Sequence, residues 1–256
     1  GAGGRIAATA AAKSAPDGYT LLLGSASTHV VAPQVVKAMP YDSVKDFTPI
    51  ANAASPATGL VVNAELPVST VRELVEYARK NPGKISFATN GIGSTHQLRG
   101  EFIKAAAGID MVHVPYKALQ LAVQDVIAGQ VPSSFSTTGE AIAHVKAGKL
   151  KVIAISGSTR SPLVSDVPTL REQGLTGIDA RVWFGWLAPA KTPKDIRERI
   201  YREVQKVVSN PAMREKYFIA QGMEPIGNSP DEFAQFIKAD TAASAELIRV
   251  SGAKLE

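Results

Sequence analysis

The chain contains no cysteine. That removes disulfide staples, cysteine nucleophiles, iron–sulfur ligation and thiolate zinc sites together, and it fits an oxidising compartment as well as a reducing one. Long apolar runs are missing too. Stretches such as Leu60–Val62 and Val152–Ile155 are strand-sized, far below the roughly 18 residues that would cross a bilayer, and no secretory leader is visible. Aromatic residues make up only 6% of the chain. No block carries charge of one sign. The 28 Lys and Arg outnumber the 23 Asp and Glu by five, and the excess is spread along all 256 residues, with 4 basic and 3 acidic groups in 1–60, 13 and 10 in 61–182, and 11 and 10 in 183–256. Without a basic stripe interleaved with aromatics, a nucleic-acid partner is not expected; a diffuse positive balance suits a protein that meets small anions.

Familiar catalytic signatures are also absent. The four histidines, at 29, 96, 113 and 144, have no metal-ligand spacing, so no metal is expected. There is no Walker loop, no dinucleotide fingerprint after Gly1-Ala2-Gly3-Gly4, and no nucleophile elbow around Ser94.

What is present is an alternation of short β runs and amphipathic helices, the mark of α/β layers. Strands are expected at Tyr19–Gly24, Ile50–Ala54, Leu60–Asn63, Ile85–Ala88, Met111–Val114, Val131–Phe135, Lys151–Ser156 and Val182–Ala188. Thr70 with Glu73, Thr137 with Glu140, and Ser229-Pro230-Asp231-Glu232 read as helix starts in which a hydroxyl and a carboxylate cover orphan N–H groups. Val71, Leu74, Val75 and Ala78 give the apolar face of the first of these helices. A short helix is expected between Pro168 and Gly174, a long one after Thr192-Pro193, and another from Pro211 to Gln221. The chain opens on a glycine loop that runs straight into a helical stretch, so the first strand of this layer is expected upstream of Gly1.

Three loops rich in small hydroxyls follow strand C-termini, where open α/β sheets bind their ligands. They are Gly24-Ser25-Ala26-Ser27-Thr28, the segment Thr89-Asn90-Gly91-Ile92-Gly93-Ser94-Thr95-His96, and Ser136-Thr137-Thr138. The second reads either as an anion site at a helix N-terminus or as an N-cap beside a glycine turn. Capping alone accounts for Thr137. The one aromatic cluster, Trp183-Phe184-Gly185-Trp186, reads either as core packing or as a cleft wall.

Taken in order, these segments resemble the substrate-binding receptors of tripartite tricarboxylate transporters, the TctC or Bug family. The likeness rests on GAGG at 1–4, APDGYTLLLGS at 15–25, PYDSVKDFTPI at 40–50, LVVNAELPVST at 60–70, NPGKISFATNGIGS at 81–94, MVHVPYK at 111–117, IAGQV at 127–131, HVKAGKL at 144–150, DVPTL at 166–170 and WFGWLAPAKTP at 183–193. It implies a type II periplasmic-binding-protein fold: two doubly wound α/β lobes with a cleft between them. Lobe one would be discontinuous, 1–60 plus 183–256, and lobe two would span 61–182, with hinges near 58–62 and 180–184. The resemblance implies a monomeric periplasmic receptor that uses no cofactor and does no chemistry. It would capture a small carboxylate and deliver it to TctA/TctB-like permease subunits. A sensor presenting its ligand to a membrane kinase, and an enzyme on the same scaffold, are the alternatives. Carried over by motif, the ligand positions are Ser25, Ala26, Ser27 and Thr28 from one lobe, and Asn90, Ile92, Gly93, Ser94, Thr95, Ser136 and Thr137 from the other. Trp183 and Phe184 would lie near the return crossing. Among the departures from the family pattern are Gln97, where the family often has His, and two that bear on the ligand. Ser136 stands where an Asp is common, which favours a dicarboxylate or aromatic carboxylate over an amino acid. Ala118-Leu119-Gln120 replaces a glycine-rich helix start, which weakens anion binding there.

Overall fold

The computed structural model describes residues 2–177 and 181–252. Two sheets organise the chain. The first holds β1 (Leu22–Ser25), β2 (Phe47–Pro56), β8 (Phe184–Pro189) and β9 (Met223–Pro225) in the order β1-β8-β2-β9, antiparallel throughout. The second holds β3 (Thr58–Asn63), β4 (Ser86–Thr89), β5 (Val112–Pro115), β6 (Ser133–Thr137) and β7 (Leu150–Ile155) in the order β5-β4-β6-β3-β7. Here β5, β4 and β6 run parallel, and β3 runs against β6 and β7.

Both faces of the second sheet are covered, as the period-2 alternation of its strands requires. Leu60, Val62, Phe87, Phe135 and Ile153 point to one side, joined by the apolar stripes of α3 (Val71–Lys80) and α4 (Thr95–Ala107). Val61 and Val152 on the other side meet α6 (Thr138–Lys146), and Ala88 meets α5 (Leu119–Ile127). α4 lies so close to β4 that a Cβ on Gly100 would sit 2.1 Å from the Phe87 ring. The first sheet is likewise sandwiched. Ile50, Ala51 and Ala188 face α7 (Lys194–Ser209). On its other side Leu22 and Leu187 join α1 (Arg5–Ala12), Phe233 and Leu247 of α9 (Pro230–Ser251), and Val30 and Val31.

The expected helix starts hold. Thr70, Thr137 and Ser229 each accept the backbone N–H three residues on. Only Ser229–Glu232 is fully reciprocal. The Glu73 carboxylate instead takes the N–H of Ser69, and Glu140 turns toward Ser136 and Gln120.

Other expectations are corrected. Ser27 and Thr28, read as the end of a loop, open a π turn (Ser27–Val31) that continues into α2 (Ala32–Val35). No helix forms between Pro168 and Gly174. Thr169 and Glu172 exchange hydrogen bonds like a capped start, but the chain stays in turns and Gly174 adopts a left-handed φ of 89°. The helix expected over Pro211–Gln221 breaks into α8 (Pro211–Met213), a π turn and a 3₁₀ turn.

The chain leaves the first sheet at Pro56 and joins the second at Thr58, so Ala57 alone spans the gap. Thr58–Leu60, assigned from sequence to the first lobe, pair with Thr137–Phe135 in the second sheet. Ala57 is held from both sides: its N–H donates to the Gly222 carbonyl and its own carbonyl accepts from Thr138 N–H, both at 2.9 Å. Of the return crossing expected at 180–184, Ala180 lies outside the described residues.

Candidate functional site

β1 ends in a turn tied by one hydroxyl. Thr28 Oγ1 accepts the Ser25 N–H and faces the Ser25 carbonyl, both at 3.0 Å, and meets His29 Nδ1 at 2.9 Å. Ala26, Ser27, Thr28 and His29 are buried, and Ser25 is half-buried. The left-handed Gly4 (φ 92°) lies against the Thr28 methyl, and Gly3 lies beside the Ile92 carbonyl.

β4 ends in the matching element of the second sheet. The Gly91 N–H donates to Thr89 Oγ1, and Gly93 adopts φ 78°. The left-handed φ favours glycine there, and a Cβ would also sit 3.3 Å from the Ala32 side chain, a tight contact. Ser94 caps α4 by accepting from Gln97 N–H at 3.2 Å, while Gln97 Oε1 accepts from Gly93 N–H at 2.8 Å.

The structure brings the two elements together directly. Thr95 N–H, in the first turn of α4, donates to Ser27 Oγ at 3.2 Å, and the two hydroxyls stand 3.5 Å apart. The anion site expected at this helix start is therefore partly occupied by protein: Thr95 N–H is held by Ser27, and Gln97 N–H by Ser94. Asn90 supports the loop through His96, whose Nδ1 lies 2.8 Å from Asn90 Oδ1.

The other expected residues are placed differently. Ser136 and Thr137 emerge from β6 beside β4, yet among the described residues no hydrogen bond joins them to either loop. The Ser136 hydroxyl is fully buried and lies 3.4 Å from Glu140 Oε2. The neighbouring carboxylate is that of the exposed Glu140. Phe184 is half-buried and pairs with Ser25 and Ala54. Trp183 belongs to the core and not to a cleft wall. It is fully buried, its ring meets Phe233 edge-on at 5.2 Å, and its Nε1–H donates to Asp240 Oδ2 at 2.8 Å.

Sequence reasoning missed the titratable groups behind the loops. His96 is buried against Phe135, and burial, helped by the positive charge of Arg99, pushes its pKa down to about 3. Burial alone holds His29 near 4. Arg99, fully buried on α4, is pulled down to about 10 by burial and partly restored by Asp240 of α9. The only sequence signal for this pair is a charge inside an apolar helix, at Arg99 between Leu98 and Phe102. Both histidines are neutral at pH 7, and the surroundings of Ser27 and Thr95 offer N–H and O–H donors: an arrangement that can bind an anion. Among the described residues no group of three or more metal-ligating side chains comes together, and no helix is long and apolar enough to cross a membrane.

Comparison with known proteins gives a consistent picture. The family model "Tripartite tricarboxylate transporter family receptor" matches residues 1–253. Protein BugT of Bordetella pertussis is 33% identical over 257 residues, covering 100% of this chain and 78% of its own. The structure of Rpa4515 of R. palustris with adipate superposes with a TM-score of 0.94 at 30% identity, covering 98% of this chain and 84% of that one. MatC of Rhodopseudomonas palustris with bound malate gives 0.89 at 29% identity, covering 97% and 85%.

Proposed function

Since the chain belongs to the tripartite tricarboxylate transporter receptor family, we propose that it is a periplasmic receptor that captures a small carboxylate and delivers it to TctA/TctB-like permease subunits as a monomer. The observation that carries this reading is the hydrogen bond from Thr95 N–H at the α4 N-terminus to Ser27 Oγ of the β1 turn. A carboxylate suits that position. It would take the Thr95 N–H from Ser27, receive the Ser27, Ser94 and Thr95 hydroxyls, and lie on the positive end of the α4 dipole. Residues 2–57 with 183–252 form one lobe in this reading and 58–177 the other, pivoting at Ala57. The ligand would replace the direct Thr95–Ser27 contact and bridge the two lobes, and its contacts to both would favour the closed state.

A thermal-shift series tests the proposal, using mono-, di- and tricarboxylates, nicotinate-like acids and amino acids. At a concentration of about 100 Kd, a true ligand adds about 2.7 kcal/mol. Stabilisation by a carboxylate, reduced in Thr95→Pro, is the expected result. No stabilisation by any carboxylate refutes the ligand class, and retention by immobilised TctA/TctB-like subunits checks the partner.

A further inference from the structure

Gln97 offers more at the start of α4 than a cap requires. The run Ser94-Thr95-His96-Gln97 has the hydroxyl and amide spacing of a capping box. Ser94 takes the Gln97 N–H, and the Gln97 side chain reaches back past Ser94 to the Gly93 N–H at 2.8 Å. A backbone N–H only donates, so the amide oxygen must face Gly93 and the orientation of the group is fixed. That contact uses the oxygen alone.

The nitrogen end is unused. Gln97 is 7% exposed, yet its Nε2 has no hydrogen-bond partner among the described residues. Nor is it closed off: His96 Nε2, one residue earlier, is sealed inside the protein, whereas Gln97 Nε2 keeps accessible surface. Asn90, at the other end of the loop, repeats the arrangement. Its Oδ1 faces His96 Nδ1 at 2.8 Å, and its Nδ2 is reachable and without a partner among the described residues. Two amide NH2 groups, each with its oxygen tied back into the protein, thus flank the glycines that precede Thr95.

In this orientation both groups can only donate. A donor on a side chain as buried as Gln97 is satisfied by an acceptor that a solute brings, and an ammonium group, itself only a donor, cannot supply one. With a solute carboxylate at the α4 start, as the proposed function has it, the Thr95 N–H and the Ser27, Ser94 and Thr95 hydroxyls take up the carboxylate oxygens. The Gln97 donor is then left for the substituent on the next carbon, which has to be an oxygen. On that reading of the site, we infer that Gln97 is a specificity-determining residue, and that the receptor selects 2-hydroxy acids over the matching 2-amino acids.

Titration calorimetry on the full chain reads the preference, using L-malate against L-aspartate and L-lactate against L-alanine. The hydroxy acid should bind at least about tenfold more tightly than its amino partner. Gln97→Met removes the donor, so the ratio should fall toward one. Gln97→Glu keeps the Gly93 hydrogen bond and turns the free end into an acceptor; it should fold as the wild type does and reverse the preference. A Gln97 that only capped the helix would alter stability in the methionine variant and leave the ratio alone. A ratio left unchanged by Gln97→Met, or an unreversed one in Gln97→Glu should the methionine variant fail to fold, overturns the inference while carboxylate binding stands. A wild type that favours the amino acids, or that binds other carboxylates and neither pair, overturns it in the same way. A wild type that binds no carboxylate at all overturns this inference and the receptor reading together.

Discussion

Replacing Asp240 probes what ties α9 to α4. Asp240 is 6% exposed, accepts the Trp183 Nε1–H and faces the fully buried Arg99. Asp240 offsets the buried positive charge of Arg99, and removing one of two such charges costs at most the figure for a contacting buried ion pair, about 3–5 kcal/mol, because the remaining charge stays in a poorly solvating site. Asp240→Asn keeps the shape and an acceptor for Trp183, so it should sit near the lower figure, about 3 kcal/mol. Asp240→Leu also strips the Trp183 hydrogen bond, one made to a charged group and worth about 1.5–3 kcal/mol, and should approach 5. Against a typical domain stability of about 5–15 kcal/mol, either loss is large. Urea denaturation followed by far-ultraviolet circular dichroism measures both. The double variant Arg99→Met/Asp240→Leu removes the stranded charge, so it should be more stable than Asp240→Leu alone, by about 2 kcal/mol. If Asp240→Asn costs under about 1 kcal/mol, or the double variant is less stable than Asp240→Leu by the full cost of Arg99→Met, the pairing account is wrong.

Other outcomes follow from the same geometry. Gly93→Ala forces a Cβ into a left-handed backbone 3.3 Å from Ala32; it should cost about 1–2 kcal/mol in urea melts and weaken carboxylate binding in titration calorimetry. Ser27→Ala leaves the Thr95 N–H unsatisfied in the ligand-free protein, lowering its stability by about 1–3 kcal/mol, while a bound carboxylate, which supplies that acceptor, should restore most of the loss. The pKa values of His29 and His96 fall to about 4 and 3 on folding, so the unfolded chain binds more protons; stability is full above about pH 6.5 and declines toward pH 4, by up to about 1.4 kcal/mol per pH unit for each histidine. His29→Gln should flatten that decline in urea midpoints compared between pH 7 and pH 5. Ser229→Ala should cost about 1 kcal/mol by uncapping α9, a loss measurable by thermal melting.

The sequence was most legible where the signal is local. A cap such as Thr70 or Ser229 and its partner lie within four residues, and a strand such as Leu60–Asn63 declares itself by β-branched content. Thr169–Glu172 shows the limit of that logic: the capping exchange forms, yet the left-handed Gly174 stops any helix from following it. The π turn at Ser27–Val31 hid behind a hydroxyl-rich start with no apolar period. Small hydroxyls after strand C-termini marked both candidate loops, and the family resemblance assigned them ligand roles, but neither carried information on which atoms meet. Ser27 and Thr95 are 68 residues apart, and Arg99 finds Asp240 only through the packing of α4 on α9. Trp183 was ambiguous for a related reason: a tryptophan at the start of a strand reads alike whether its N–H meets a solute or a buried aspartate.

Ala57 sets a mechanical limit on everything that happens between the sheets. A one-residue link anchored on both sides, to Gly222 and to Thr138, leaves few orientations to search and little slack to absorb. Acids of different length would then produce nearly the same closed outline, with their differences confined to the interior. Under the proposed function, a membrane partner recognising that outline would respond to whether the receptor is loaded and would be almost blind to its cargo, so the choice of solute could change by altering the loops without redesigning the docking surface.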